Sequence, residues 1–124
     1  MYQTFLFLAA SAALLAVAMG AFGAHALRTA LTADMMAVYH TAVNYHMWHA
    51  LGLGLVAALS FQYPQSLLLR WAGWLMCVGI VLFSGSLYAL SISGIKWLGA
   101  ITPFGGSAFL IAWLLLALFA LKLP

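Results

Sequence analysis

The chain reads as an all-α integral membrane protein, a four-helix transmembrane bundle with short loops. Two observations carry that reading. Hydrophobic residues fill 68% of the 124 positions and charged residues only 4%, with a mean hydropathy of +1.15. A soluble domain carries about 25% charged residues, so this chain has no surface to offer water. The apolar residues also fall into four runs, each at least the roughly 20 residues that a bilayer-crossing helix needs. With three short loops those runs account for residues 1–124 as one membrane domain, with helices expected at about 4–27, 33–61, 65–93 and 103–121.

The first helix follows Met1-Tyr2-Gln3-Thr4, which carries no basic residue. Its apolar run is too long for a signal peptide, so it is expected to stay in the protein, although the small residues near Ala18, Gly20 and Ala21 resemble a cleavage region. Ala12, Ala16, Gly20 and Ala24 recur every fourth residue, a stripe that lets a neighbouring helix approach closely in lipid. Thr32 is placed to cap the second helix, and Asp34, the only acid, sits in its first turn where a carboxylate suits the helix dipole. Pro64 is placed to open the third helix and Gly94 to end it. Thr102-Pro103 reads as the cap and first residue of the fourth. Arg70, Trp71 and Trp74, and later Lys96-Trp97, mark interfaces.

Four crossings put both termini on one side and the first and third loops on the other. At 1.5 Å per residue, His40 and Asn44 lie roughly 10–15 Å inside the loop-side start of the second helix. His25 lies at the loop-side end of the first. Ser84, Ser86 and Tyr88 fall in the loop-side half of the third, and Thr102 and Ser107 at the start of the fourth. All four helices therefore send polar groups into one half of the bundle. The termini side carries Arg70, Lys122 and the terminal amine against Arg28 and Lys96 on the loop side, so the positive-inside rule favours cytoplasmic termini by one charge.

Four histidines in so apolar a chain raise a metal or haem reading, since neutral imidazole is the commonest metal ligand. His40 and His49 lie about 180° apart on their helix and cannot share a site. His46 and His49, three residues apart, could chelate together, and His25 could meet His40 across helices. No carboxylate is placed to complete such a shell. The plainer reading is that these histidines hydrogen-bond between helices, with His49 reaching Ser84, Ser86 or Tyr88 and His25 pinning the first loop. Tyr45, His49 and Gly52 share one stripe, and an ionisable group near mid-bilayer is a candidate functional residue by default. Cys77 stands alone within an apolar run, so neither a disulfide within the chain nor a cysteine-based metal motif is available.

Gly20-Ala21-Phe22-Gly23-Ala24-His25-Ala26-Leu27, Tyr45 with His49-Ala50-Leu51, Phe83-Ser84-Gly85-Ser86-Leu87-Tyr88 and Ile101-Thr102-Pro103-Phe104-Gly105-Gly106 form four ordered motifs. Together they resemble the YgdD/YwdK family of small bacterial membrane proteins of unknown function, which has a eukaryotic transmembrane relative. The resemblance implies four helices in a bacterial inner membrane. It brings no reaction, ligand or catalytic residue.

The sequence thus points to a non-enzymatic binding or accessory module. Its site is expected in a loop-side vestibule built from His25, His40, Asn44, Tyr45, His49, Ser84, Ser86, Tyr88 and Thr102. No catalytic residue, metal or cofactor is assigned. Candidate partners are the bilayer, a lipid or small molecule, a second copy of the chain or another membrane protein. Four scattered basic residues make no nucleic-acid surface. The competing readings are a small transporter or channel subunit, a histidine-ligated metal or haem protein, and a purely structural subunit.

Overall fold

The computed structural model describes residues 1–124 as four long helices. They are α1 (Tyr2–His25), α2 (Ala33–Gln62), α3 (Leu67–Ser93) and α4 (Thr102–Ala120), with a 3-10 turn at Lys96–Ala100 before the last. Tyr2–His25, Leu67–Ser93 and the segment Lys96–Ala120 are long and apolar enough to cross a membrane. α2 is the longest and the most polar, and it is also the innermost. Ten of its residues are buried, against four in α1. Tyr39, His46, His49 and Ser60 are buried against other helices, which makes them tolerable in lipid, whereas His40 and Asn44 are exposed.

Helix ends follow local chemistry. The Thr32 hydroxyl accepts the Met35 amide at 3.2 Å, as its position suggested. α3 starts later than expected, because Ser66 and not Pro64 provides the start: its hydroxyl accepts the Leu69 amide at 3.3 Å. Gly94 ends α3 with φ at 71°, a conformation that costs glycine nothing, and its amide returns to the Leu90 carbonyl. Thr102 is not the cap of α4. Ile101 takes that place, and the Thr102 hydroxyl turns inward to lie 2.6 Å from the Ser86 hydroxyl. A hydrogen bond inside the bundle outweighs a cap that water can replace at the membrane surface.

Two helical hairpins pack together, α1 against α2 and α3 against α4. On α1 the buried residues are Phe5, Ala9, Ala16 and Gly23, and Ala24 of the expected stripe is exposed. Gly23 is needed because the Tyr39 ring lies over it, leaving no room for a Cβ. The α3–α4 contact is closer still: Gly105 rests on the Phe83 backbone, and Gly79 lies under the Phe109 ring. The termini-side half is an apolar core of Phe5, Leu53, Val56, Leu69, Met76, Ala112, Leu116 and their neighbours. Ser60 is its exception, fully buried with no hydrogen-bond partner for its hydroxyl.

One turn of α3, Ile80–Ser84, is π-helical, with the Gly85 amide bonding back to the Ile80 carbonyl. Such a bulge rotates everything after it relative to what precedes it, and bulges of this kind are frequent at functional sites. Here the Ser84 hydroxyl donates to the Ala42 carbonyl at 2.8 Å and ties the bulge to α2.

Candidate functional site

The expected vestibule of nine residues does not form as one site. His25, His40 and Asn44 are exposed on the outside of the bundle, and none makes a side-chain hydrogen bond. The reason is rotational. At 100° per residue Asn44 lies about 160° from His46 around α2, and His46, with Tyr39, Ala42 and His49, faces inward. His25 is the last residue of α1 and points away from the helices. It does not meet His40.

The remaining candidates sort into separate closed pairs. His49 Nδ1 donates to the Tyr45 carbonyl at 2.7 Å, and its Nε2 accepts from the Trp113 indole at 3.0 Å. That arrangement fixes the tautomer, since an indole N–H can only donate. The ring stacks on Phe109 with centroids 3.4 Å apart, and Tyr45 lies between it and Phe83. His49 is therefore an interhelical link from α2 to α4, not to the α3 hydroxyls expected for it. With both nitrogens engaged it is not free to chelate with His46. Ser84 is spent on Ala42, and Ser86 on Thr102 and on the Phe83 carbonyl at 3.0 Å.

A different pair opens onto free space. His46 Nδ1 lies 2.9 Å from the Tyr88 hydroxyl, linking α2 to α3. Tyr88 in turn packs against Tyr39, whose hydroxyl donates to the Met19 carbonyl of α1. The His46 ring is 5% exposed and lines a crevice of about 440 Å³ between α1 and α3. The Ala12 carbonyl of α1 faces the same ring. Leu8, Ser11, Ala12 and Leu15 form one wall, Cys77, Ile80, Val81 and Gly85 the other, and Leu53 part of the floor.

Gly85 gives this crevice its shape. A Cβ built there meets nothing within 4 Å, unlike those at Gly23, Gly79 and Gly105. Glycine inside a helix costs about 1 kcal/mol relative to alanine, and no packing contact accounts for this one. Ile80 and Val81 of the bulge that precedes it line the same wall.

A second cleft of about 530 Å³ lies between α2 and α4, lined by Tyr45, Trp48, His49, Phe83, Ser107 and Trp113 among others. It is larger, but its histidine has both ring nitrogens engaged and its Ser107 hydroxyl is turned onto the Pro103 carbonyl at 2.8 Å. The α1–α3 crevice is the better candidate because the buried His46 on its wall has only one ring nitrogen bonded to another side chain. Of its polar residues only Tyr88 stood among the nine expected. His46 was legible as a neighbour of Tyr39 on the same helix face, seven residues on.

Fold and site together define a small all-helical membrane protein with an apolar crevice between two helices and one histidine–tyrosine pair on its wall. The chain belongs to the family described as "Protein of unknown function (DUF423)", whose model matches residues 19–106. It is 52% identical over 120 residues to the UPF0382 membrane protein YwdK of Bacillus subtilis, covering 97% of this chain and 98% of that one. The UPF0382 membrane proteins SH2409 of Staphylococcus haemolyticus and SSP2132 of Staphylococcus saprophyticus are 45% and 44% identical, over 97% and 98% of this chain and 97% and 99% of theirs. No solved structure matches it significantly.

Proposed function

We propose that this protein is a non-enzymatic binding module of the bacterial cytoplasmic membrane, and that it holds a chain-shaped lipidic amphiphile in the α1–α3 crevice. The observation that carries the proposal is the crevice's composition. Its walls are apolar, its volume of about 440 Å³ lies within the roughly 300–1,000 Å³ of small-molecule sites, and His46 offers one directional contact inside it. With Nδ1 on Tyr88, Nε2 is left to give or accept one hydrogen bond, and a carbonyl or hydroxyl at the head of an apolar chain would compete there with the Ala12 carbonyl. Gly85 leaves the clearance that such a chain needs.

An enzymatic role finds little to work with. The interior hydroxyls of Ser84, Ser86 and Ser91 are turned onto backbone carbonyls. Asp34 sits in the first turn of α2, away from the crevice. That position also weighs against a proton-coupled transporter, which wants a carboxylate within the membrane.

The test is photolabelling in proteoliposomes with a diazirine-bearing palmitic acid, followed by mapping of the labelled peptides. Labels should concentrate on Leu8–Leu15 and Cys77–Tyr88. Gly85→Leu should remove that concentration by filling the crevice, with helix content unchanged. Even labelling of every exposed apolar face, or an unchanged pattern in Gly85→Leu, would sink the proposal.

A further inference from the structure

The outward face of α2 carries an unmet demand. Ala37, His40, Asn44, Trp48, Leu51, Leu55 and Ala58 are all exposed along it. From Asn44 onward the spacing alternates four and three residues, the pattern of a helix seam that meets another helix. The Ser84–Ala42 hydrogen bond fixes the depth of this region. Ser84 lies about 13 Å inside the Ser93 end of α3, and Asn44 about 16 Å from the start of α2, at 1.5 Å per residue. The Asn44 amide therefore lies within the apolar zone.

Thr41, on the same side, folds its hydroxyl onto the Ala37 carbonyl at 3.1 Å. Asn44 makes no such bond, and a side chain this short cannot reach the headgroups. An amide left facing acyl chains is costly, because lipid offers it no partner. The occupant that meets the demand most directly is a second Asn44. An amide is donor and acceptor at once, so two of them satisfy each other across a two-fold axis along the membrane normal. Two copies inserted in the same direction meet at the same depth by symmetry, whereas an unrelated helix would need a matching group placed at that level. His40 lies one turn nearer the loops on the same face, and Ala37 and Ala58 let the backbones approach.

We infer that two copies of the chain associate in parallel through this stripe of α2, with Asn44 bonded to Asn44 at its centre. The test uses the full chain in proteoliposomes at low protein-to-lipid ratio, with self-association read by energy transfer between labelled copies. Asn44→Leu should weaken association roughly 3- to 30-fold, the range that interhelical polar contacts produce in membranes. Asn44→Gln, which keeps both donor and acceptor, should retain most of it. At a dilution where wild type is monomeric, the thermal midpoint of unfolding should be the same in both variants as in wild type, since Asn44 bonds to nothing in its own chain. In a Cys77→Ala background, Leu51→Cys should cross-link on oxidation and Val17→Cys, on the exposed side of α1, should not. Three results would each overturn the inference: a monomeric wild type, Asn44→Leu associating as tightly as wild type, or equal cross-linking at Leu51 and Val17.

Discussion

Two glycines on neighbouring helices should respond to the same substitution with opposite signs. An alanine Cβ at Gly105 would sit 2.8 Å from the Phe83 Cα and closer still to its amide nitrogen. Backbone cannot rotate away as a side chain can, so α3 and α4 must part by about 0.5–1 Å, which forfeits a quarter to a half of each dispersion contact. A single well-packed side chain makes contacts worth about 5–10 kcal/mol in all, so losing a quarter to a half of that amount costs about 1–5 kcal/mol. Alanine's better helix propensity offsets about 1 kcal/mol of it. Gly105→Ala is therefore expected to destabilise by about 1–3 kcal/mol, the usual range for overpacking. Gly85→Ala meets nothing and keeps only the propensity gain, about 0.5–1 kcal/mol of stabilisation. Unfolding by sodium dodecyl sulfate in mixed micelles, followed by the fluorescence of the five tryptophans, measures both. Gly105→Ala unfolding together with wild type, or both variants shifting in the same direction, would refute the close backbone approach at Gly105 and the open space at Gly85.

The His49–Trp113 link should appear as a coupling of about 0.6–1.7 kcal/mol in a double-mutant cycle with His49→Leu and Trp113→Phe, the range measured for interhelical hydrogen bonds in lipid; strict additivity would show that the two rings merely touch. Ser60→Ala should leave stability unchanged or raise it by about 1 kcal/mol, because it removes a buried hydroxyl that has no partner. A loss of stability there would mean that the hydroxyl is bonded in the membrane. Ser86→Ala should cost about 1 kcal/mol by leaving Thr102 unpaired, read as an earlier unfolding midpoint. Reporter fusions at Pro124 should place the C-terminus in the cytoplasm, and an outward-facing C-terminus would contradict the orientation that the basic residues favour.

Composition alone made the fold class legible, because residues this apolar can only be buried in lipid. The concentration of polar groups in the loop-side half was legible too, from helix arithmetic. Depth follows from sequence position, but rotation about the helix axis depends on where the neighbours stand. His40 and Asn44 stand on the outward face of α2, while His46, two residues from Asn44, is the one turned inward. The glycines show the same gap. Gly79, Gly85 and Gly105 look alike in the sequence, yet two sit under a ring or against a backbone and one borders open space. Nothing in Ile80–Ser84 marks a π-helical turn, and the segment packs against both α2 and α4. Thr102 shows tertiary structure overriding a local signal, since its hydroxyl serves Ser86 instead of the helix end. Three of the motifs behind the family resemblance prove to hold close approaches: Gly23 beneath Tyr39, Ser86 on Thr102, and Phe83 against Gly105.

The most direct measurement of the crevice's role is the bound lipid itself, by mass spectrometry of intact protein gently released from bacterial membranes. Wild type should retain a near-stoichiometric amphiphile that resists further delipidation, His46→Leu should hold it less firmly, and Gly85→Leu should come out bare. Equal retention by all three, or none by any, would contradict a ligand between α1 and α3.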